Sequence, residues 1–239
     1  MSIGLITHAK ISNSGGSPAS VTSSAFNSTG ANLLIVAIDW LQTTAPTLTD
    51  SNSNTWTPLT VRTNTTRFSL QFFYAKNPTV GSGHTFTVNR SGGWYGCGML
   101  SAWSGADTTS PFDQQNGTAT ATGDTGLSTG SVTPGSPNEL VITAFGLDDP
   151  GGNTVGVSGG AGFTQIDFTD VSPGALFGLA TAYQIQTTAT AVNPAWTRST
   201  TNTQSGDLGV VATFKAAATS FIAPQGTLLN QSVKRASYF

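Results

Sequence analysis

Five segments in the first half of this chain return, in the same order, in the second half. Asn32-Leu33-Leu34-Ile35-Val36 returns as Asn138-Glu139-Leu140-Val141-Ile142, and Trp56-Thr57-Pro58-Leu59 returns as Phe163-Thr164-Gln165-Ile166. The alternating set Phe68, Leu70, Phe72, Tyr74 returns as Phe177, Leu179, Thr181, Tyr183, and Val88-Asn89-Arg90-Ser91 as Trp196-Thr197-Arg198-Ser199. Cys97 to Trp103 returns as Leu208 to Phe214, and all offsets lie between 106 and 111 residues. The matches fall on apolar, strand-like runs while the polar connections diverge, as expected of a copied structural unit. The repeat therefore predicts an all-β fold: a jelly-roll-like β-sandwich built from an internal duplication of about 107 residues.

Composition points the same way. Charged residues make up 8% of the 239, and glutamate occurs once, at Glu139. Long helices need straight-chain charged residues on their wet faces, so such a chain has little to build them from. Gly, Ser, Thr and Asn take their place and suit short strands joined by tight turns. Thirteen Phe, five Trp and regular alternation separate the chain from disordered sequences of similar Gly and Ser content.

Leu33 to Ile38 is a continuous apolar run, expected of a strand buried on both faces. Phe68, Leu70, Phe72 and Tyr74 alternate, as do Phe86 with Val88 and Leu208 with Val210, Ala212 and Phe214. Turn-rich stretches at 78–83, 89–93, 148–152 and 158–162 separate about twelve to fourteen strands. Residues 1–216 are expected to form the sandwich, with pseudo-repeats at about 20–113 and 131–216 related by a pseudo-twofold. Two tandem domains are the alternative. Residues 217–239 are read as a C-terminal arm carrying Phe221, Ile222, Leu228, Leu229, Val233, Tyr238 and Phe239. Such an arm either folds back over its own sandwich or docks on a neighbouring subunit.

A formal net charge of -2 with scattered Lys and Arg gives no electrostatic footprint for nucleic acid or an anionic membrane. The lone cysteine, Cys97, sits inside an apolar strand and favours folding inside a cell. The start, Met1-Ser2-Ile3-Gly4-Leu5, lacks the pattern of a signal peptide, so export by another route is expected.

The residues point weakly to chemistry. His8 and His84 have no ligand-type neighbours in sequence, and no nucleophile elbow or phosphate loop is present. Asp50-Ser51-Asn52-Ser53-Asn54 resembles the start of a calcium loop, with Asp50, Asn52 and Asn54 as ligands. Thr55 and Val61 stand where an EF-hand needs Gly and Glu, so only an irregular calcium site is open; otherwise no cofactor is expected. Trp94 and Tyr95, after Ser91-Gly92-Gly93, are candidates for stacking on a glycan, whereas Trp56, Trp103 and Trp196 read as core. A sandwich glycosidase would need two carboxylates facing each other across a cleft, roughly 5 to 10 Å apart. The acids here lie mostly in turns, where they cap backbone amides.

Asp50-Ser51-Asn52-Ser53-Asn54-Thr55-Trp56, Phe73-Tyr74-Ala75-Lys76-Asn77 and Ser101-Ala102-Trp103-Ser104-Gly105-Ala106-Asp107 through Pro111-Phe112-Asp113 together resemble a group of Ser/Thr/Gly-rich β-sandwich proteins of tailed bacteriophages and bacteria. The resemblance spans Leu33 to Lys215. It implies a structural or surface module, supplies no catalytic residues, and points to a virion part folded in the host cytoplasm. The expectation is thus a non-enzymatic bacteriophage virion structural protein, a capsid decoration or cement protein. Its partners would be other virion proteins, foremost the major capsid protein, and further copies of itself in a homo-oligomer. A carbohydrate-binding surface or tail module is the alternative, and a glycosidase the second alternative.

Overall fold

The apolar run from Leu33 forms the middle of a sheet covered on both faces, and the rest of the fold is arranged around it. The computed structural model describes residues 2–13, 19–41, 44–64, 67–92, 95–148, 153–160, 162–171, 177–201 and 203–218. The first half supplies β1 (Gly4–Asn13), β2 (Ser20–Thr22), β3 (Leu33–Leu41), β4 (Thr47–Asp50), β5 (Thr57–Pro58), β6 (Arg62–Asn64), β7 (Phe68–Lys76), β8 (Phe86–Asn89) and β9 (Gly96–Ser104). The second supplies β10 (Phe112–Ala119), β11 (Gly126–Ser128), β12 (Glu139–Asp148), β13 (Val155–Ser158), β14 (Thr164–Asp170), β15 (Phe177–Gln186), β16 (Ala195–Arg198) and β17 (Leu208–Phe214). The fold is all-β, in several antiparallel sheets stacked as sandwiches. More strands form than alternation predicts, because β2, β5, β6 and β11 have only two or three residues each. Runs that short show no period.

The first half lays out β1-β9-β3-β7-β5, with β6 also on β7, and a separate sheet β2-β8-β4. The second half lays out β10-β17-β12-β15-β14 and β11-β16-β13. Exchanging β1, β9, β3, β7 and β5 for β10, β17, β12, β15 and β14 turns one large sheet into the other. The small sheets correspond in the same way, β2, β8 and β4 with β11, β16 and β13.

Side-chain alternation sorts the core into layers. Leu33, Ile35 and Ala37 of β3 pack with Leu140, Ile142 and Ala144 of β12 in a central core between the two large sheets. Leu34, Val36, Ile38 and Trp40 point the other way, onto Leu48, Phe86 and Val88 of the small sheet. On the far side Phe145 and Leu147 meet Leu127 and Trp196, and Val141 meets Val211 and Val192. Each half is therefore a sandwich of a small sheet on a large one, and the large sheets pack back to back.

Contacts across this seam come in matched sets. Phe68 stacks on Phe177, its own repeat counterpart, at 5.0 Å. Trp103 meets Tyr183 edge-on at 4.8 Å, and their counterparts Phe214 and Tyr74 meet edge-on at 5.5 Å. The chain after β17 returns to the crossover after β9, where Ala216 bridges Ala106 and the Asp107 amide donates to the Lys215 carbonyl at 2.9 Å. At the sheet edges Lys10 Nζ of β1 reaches Asp167 Oδ1 of β14 at 3.0 Å.

Candidate functional site

β4 ends at Asp50, and the chain after it wraps around that carboxylate. Asp50 Oδ1 accepts the backbone N–H groups of Asn52 at 2.8 Å and Asn54 at 3.2 Å, and the Asn54 amide at 3.3 Å. Asp50 Oδ2 accepts the Trp56 indole N–H at 2.7 Å. Both asparagine amides donate to the Thr79 carbonyl, at 3.1 and 3.0 Å, and Asn54 Oδ1 accepts the Thr79 N–H at 2.6 Å. The three calcium candidates thus converge, but around N–H donors. A cation would have to displace the donors that now hold both Asp50 oxygens. Among the described residues, no group of three or more His, Cys, Asp or Glu is placed to hold a metal.

His84 closes the same loop from behind. Its Nε2 lies 3.4 Å from Asp50 Oδ1, its Nδ1 lies 2.8 Å from Ser28 Oγ, and its ring stacks on Phe26 at 4.9 Å. These are the residue types of a nucleophilic triad, but Ser meets Nδ1 and Asp meets Nε2. All three side chains are sealed from solvent, and Ser28 Oγ accepts the Gly81 N–H at 3.1 Å. A substrate carbonyl cannot reach this hydroxyl while the loops are closed. The constellation pins the segments around residues 28, 50 and 84 to one another.

The pinned loop fixes Trp56 in place. Its ring is half-buried and forms one wall of a groove of about 430 Å³ between β4 and β5/β7, with Pro46, Pro58, Gln71 and Phe73 around it. The repeat pairs Trp56 with the apolar Phe163, which is why sequence reasoning places it in the core. The signal that it borders a groove is the pair of prolines, Pro46 and Pro58, which mark segments near a sheet edge.

Of the proposed stacking pair, Tyr95 is half-buried, packs against the central core, and its carbonyl accepts the Leu41 N–H at 3.0 Å. Trp94 lies outside the described residues, as do Phe221, Ile222, Leu228, Leu229, Val233, Tyr238 and Phe239. The described chain ends at 218, just past the pairing of Ala216 with Ala106.

Two carboxyl groups do come together, where β10, β12 and β17 meet. Glu139 is wholly buried, and its Oε1 accepts the Ser136 N–H at 2.9 Å. Burial pushes its carboxyl up to about 7, and the charge of nearby Asp113 pushes the same way. Lys215 Nζ lies 3.9 Å from Asp113 Oδ1, and Asp113 Oδ2 accepts the Gly135 N–H at 2.8 Å. With Glu139 wholly buried, the pair has no open cleft between its members for a sugar, unlike the facing acids of a glycosidase. By strand register the first half has Asn32 in place of Glu139, so a carboxyl pair is particular to the second half.

The seam holds more buried polar groups at one end. Asp39 Oδ1 accepts the Cys97 N–H at 2.5 Å, and burial, with Asp148 adding repulsion, holds its carboxyl well above the usual range. Burial likewise pushes the Cys97 thiol up, helped by Asp39 and Asp170. Arg67 of the first half donates to Asp148 Oδ2 of the second at 3.1 Å, and Arg198 pairs with Asp207 at 2.7 Å with both side chains buried.

The fold places the chain among all-β proteins built from packed sandwiches. Compared with known proteins, it matches no family model, no curated relative and no solved structure.

Proposed function

We propose that this chain is a structural protein of a bacteriophage virion, a capsid decoration protein that acts through protein–protein contacts. The observation that supports this best is the uncharged outer face of the β2-β8-β4 sheet. There Thr22 and Thr87 hydroxyls pair at 2.8 Å, and Asn89 donates to Thr49 at 3.1 Å. Hydroxyl and amide groups cost less to bury against a partner than ions do, so a rigid slab faced with them can pack on another protein over a wide area. Many weak contacts repeated over a particle then add up. We also infer that each half is a jelly-roll-like unit and that the two arose by internal duplication; the matched strand orders and seam contacts support this.

The test is electron microscopy of purified particles carrying a label on this protein, with sedimentation of the purified chain to read its oligomeric state. Label on the capsid and a discrete homo-oligomer are the expected results. Purified particles that lack the protein would end the proposal.

A further inference from the structure

We propose that the groove beside Trp56 is a binding site for a neutral glycan, with the indole face as its stacking platform. The ring is held before any ligand arrives: its N–H is committed to Asp50 Oδ2 at 2.7 Å, and Asp50 is itself fixed by Asn52 and Asn54. A ring already immobilised loses little entropy on binding. Pro46, Pro58 and Phe73 complete a wall of C–H surface that suits the apolar face of a pyranose. No charged side chain lines the groove, so a neutral occupant fits best.

Gln71 decides which neutral occupant. It lines the groove at 7% exposure, its Nε2 donates one hydrogen to the Leu59 carbonyl at 2.6 Å, and its Oε1 is an acceptor that a ligand hydroxyl can use. A proline-rich peptide also stacks on tryptophan, but it offers carbonyls and lacks N–H groups, so it needs donors from the protein. Here the indole N–H is taken by Asp50 and one Gln71 amide hydrogen by Leu59, which leaves such a peptide at most one donor. A sugar brings hydroxyl donors, which is what the Gln71 oxygen can receive. The fold does not require these side chains, since the second half carries Phe163, Ala180 and Ala182 at the positions of Trp56, Gln71 and Phe73. Glycan binding is separable from any structural role in a particle, because the two are read by different experiments.

The test is NMR of the ¹⁵N-labelled full chain titrated with cellotetraose, maltotetraose and N-acetylchitotetraose, with decaproline in parallel. At least one tetrasaccharide should shift the Trp56 indole and Gln71 amide resonances saturably, with a dissociation constant of about a millimolar or tighter. Gln71→Ala should weaken that binding about tenfold, and Trp56→Phe should weaken it as well. Both variants carry the second half's own residue and should keep the remaining spectrum. Three tetrasaccharides without a saturable shift, a response to decaproline alone, or unchanged affinity in both variants would overturn the proposal.

Discussion

Replacing Glu139 with Gln should remove a pH dependence from the stability of this protein. Folding buries Glu139 beside Asp113 and raises its carboxyl from 4.5 to about 7, so the native state holds a proton that the unfolded chain releases. A raised acid stabilises the fold fully below about 4.5, and that contribution is lost as pH climbs through about 7. At about 1.36 kcal/mol per pH unit the ceiling is roughly 3 kcal/mol. Solvent screening of the partly exposed Asp113, whose charge helps to raise Glu139, brings the expected effect to about 2 kcal/mol. The variant keeps the observed contact, since a Gln oxygen still accepts the Ser136 N–H, but it has nothing to titrate. Urea unfolding of both proteins at about pH 5 and about pH 8.5 gives the answer. Wild type should lose about 2 kcal/mol more than Glu139→Gln between the two conditions. Identical losses would show that Asp113 and Glu139 share no proton.

Cys97 should resist alkylation in the folded protein and react at the rate of global unfolding, since its thiol is buried and held protonated; labelling within seconds under native conditions would contradict this. Gly96→Ala should destabilise by several kcal/mol, because at φ 155 an added Cβ overlaps the Asp39 carbonyl oxygen; a midpoint within error of wild type in urea would refute it. Arg198→Met takes the guanidinium charge away from the buried Asp207, which keeps the Asp148 N–H, at a cost of about 3 kcal/mol measured in the same way; an unchanged midpoint would refute it. Truncation after Ala218 keeps the Ala216–Ala106 pairing, so the urea midpoint should stay within error of wild type, and a large drop would refute this.

The long strands were legible because their side chains announce both faces. Leu33 to Ile38 has no polar face to offer, and β3 lies between two cores. The repeat carried the topology further than propensity could, since β3, β7, β8 and β9 each have a counterpart of matching sheet position. What stayed hidden depends on register and approach. Asp113 and Glu139 are 26 positions apart in an unremarkable stretch, and only the pairing of β10 and β12 with β17 brings them together. The calcium-like spacing of Asp50, Asn52 and Asn54 falls on a loop organised by one carboxylate. It does not say whether that carboxylate faces a metal or N–H groups, because both arrangements draw on the same residue types. Trp56 does pack against a core, as its counterpart Phe163 suggests, but an apolar counterpart does not report that part of the ring also borders a groove.

The largest core belongs to neither half alone. A protease nick in the crossover between β9 and β10 would therefore release no independent domain. Each piece would carry a wide greasy face into water and would have to recapture the other, or a second copy of itself, to hide it. The two halves hold each other folded across one shared core, and a substitution on one side of the seam is answerable to the residue opposite.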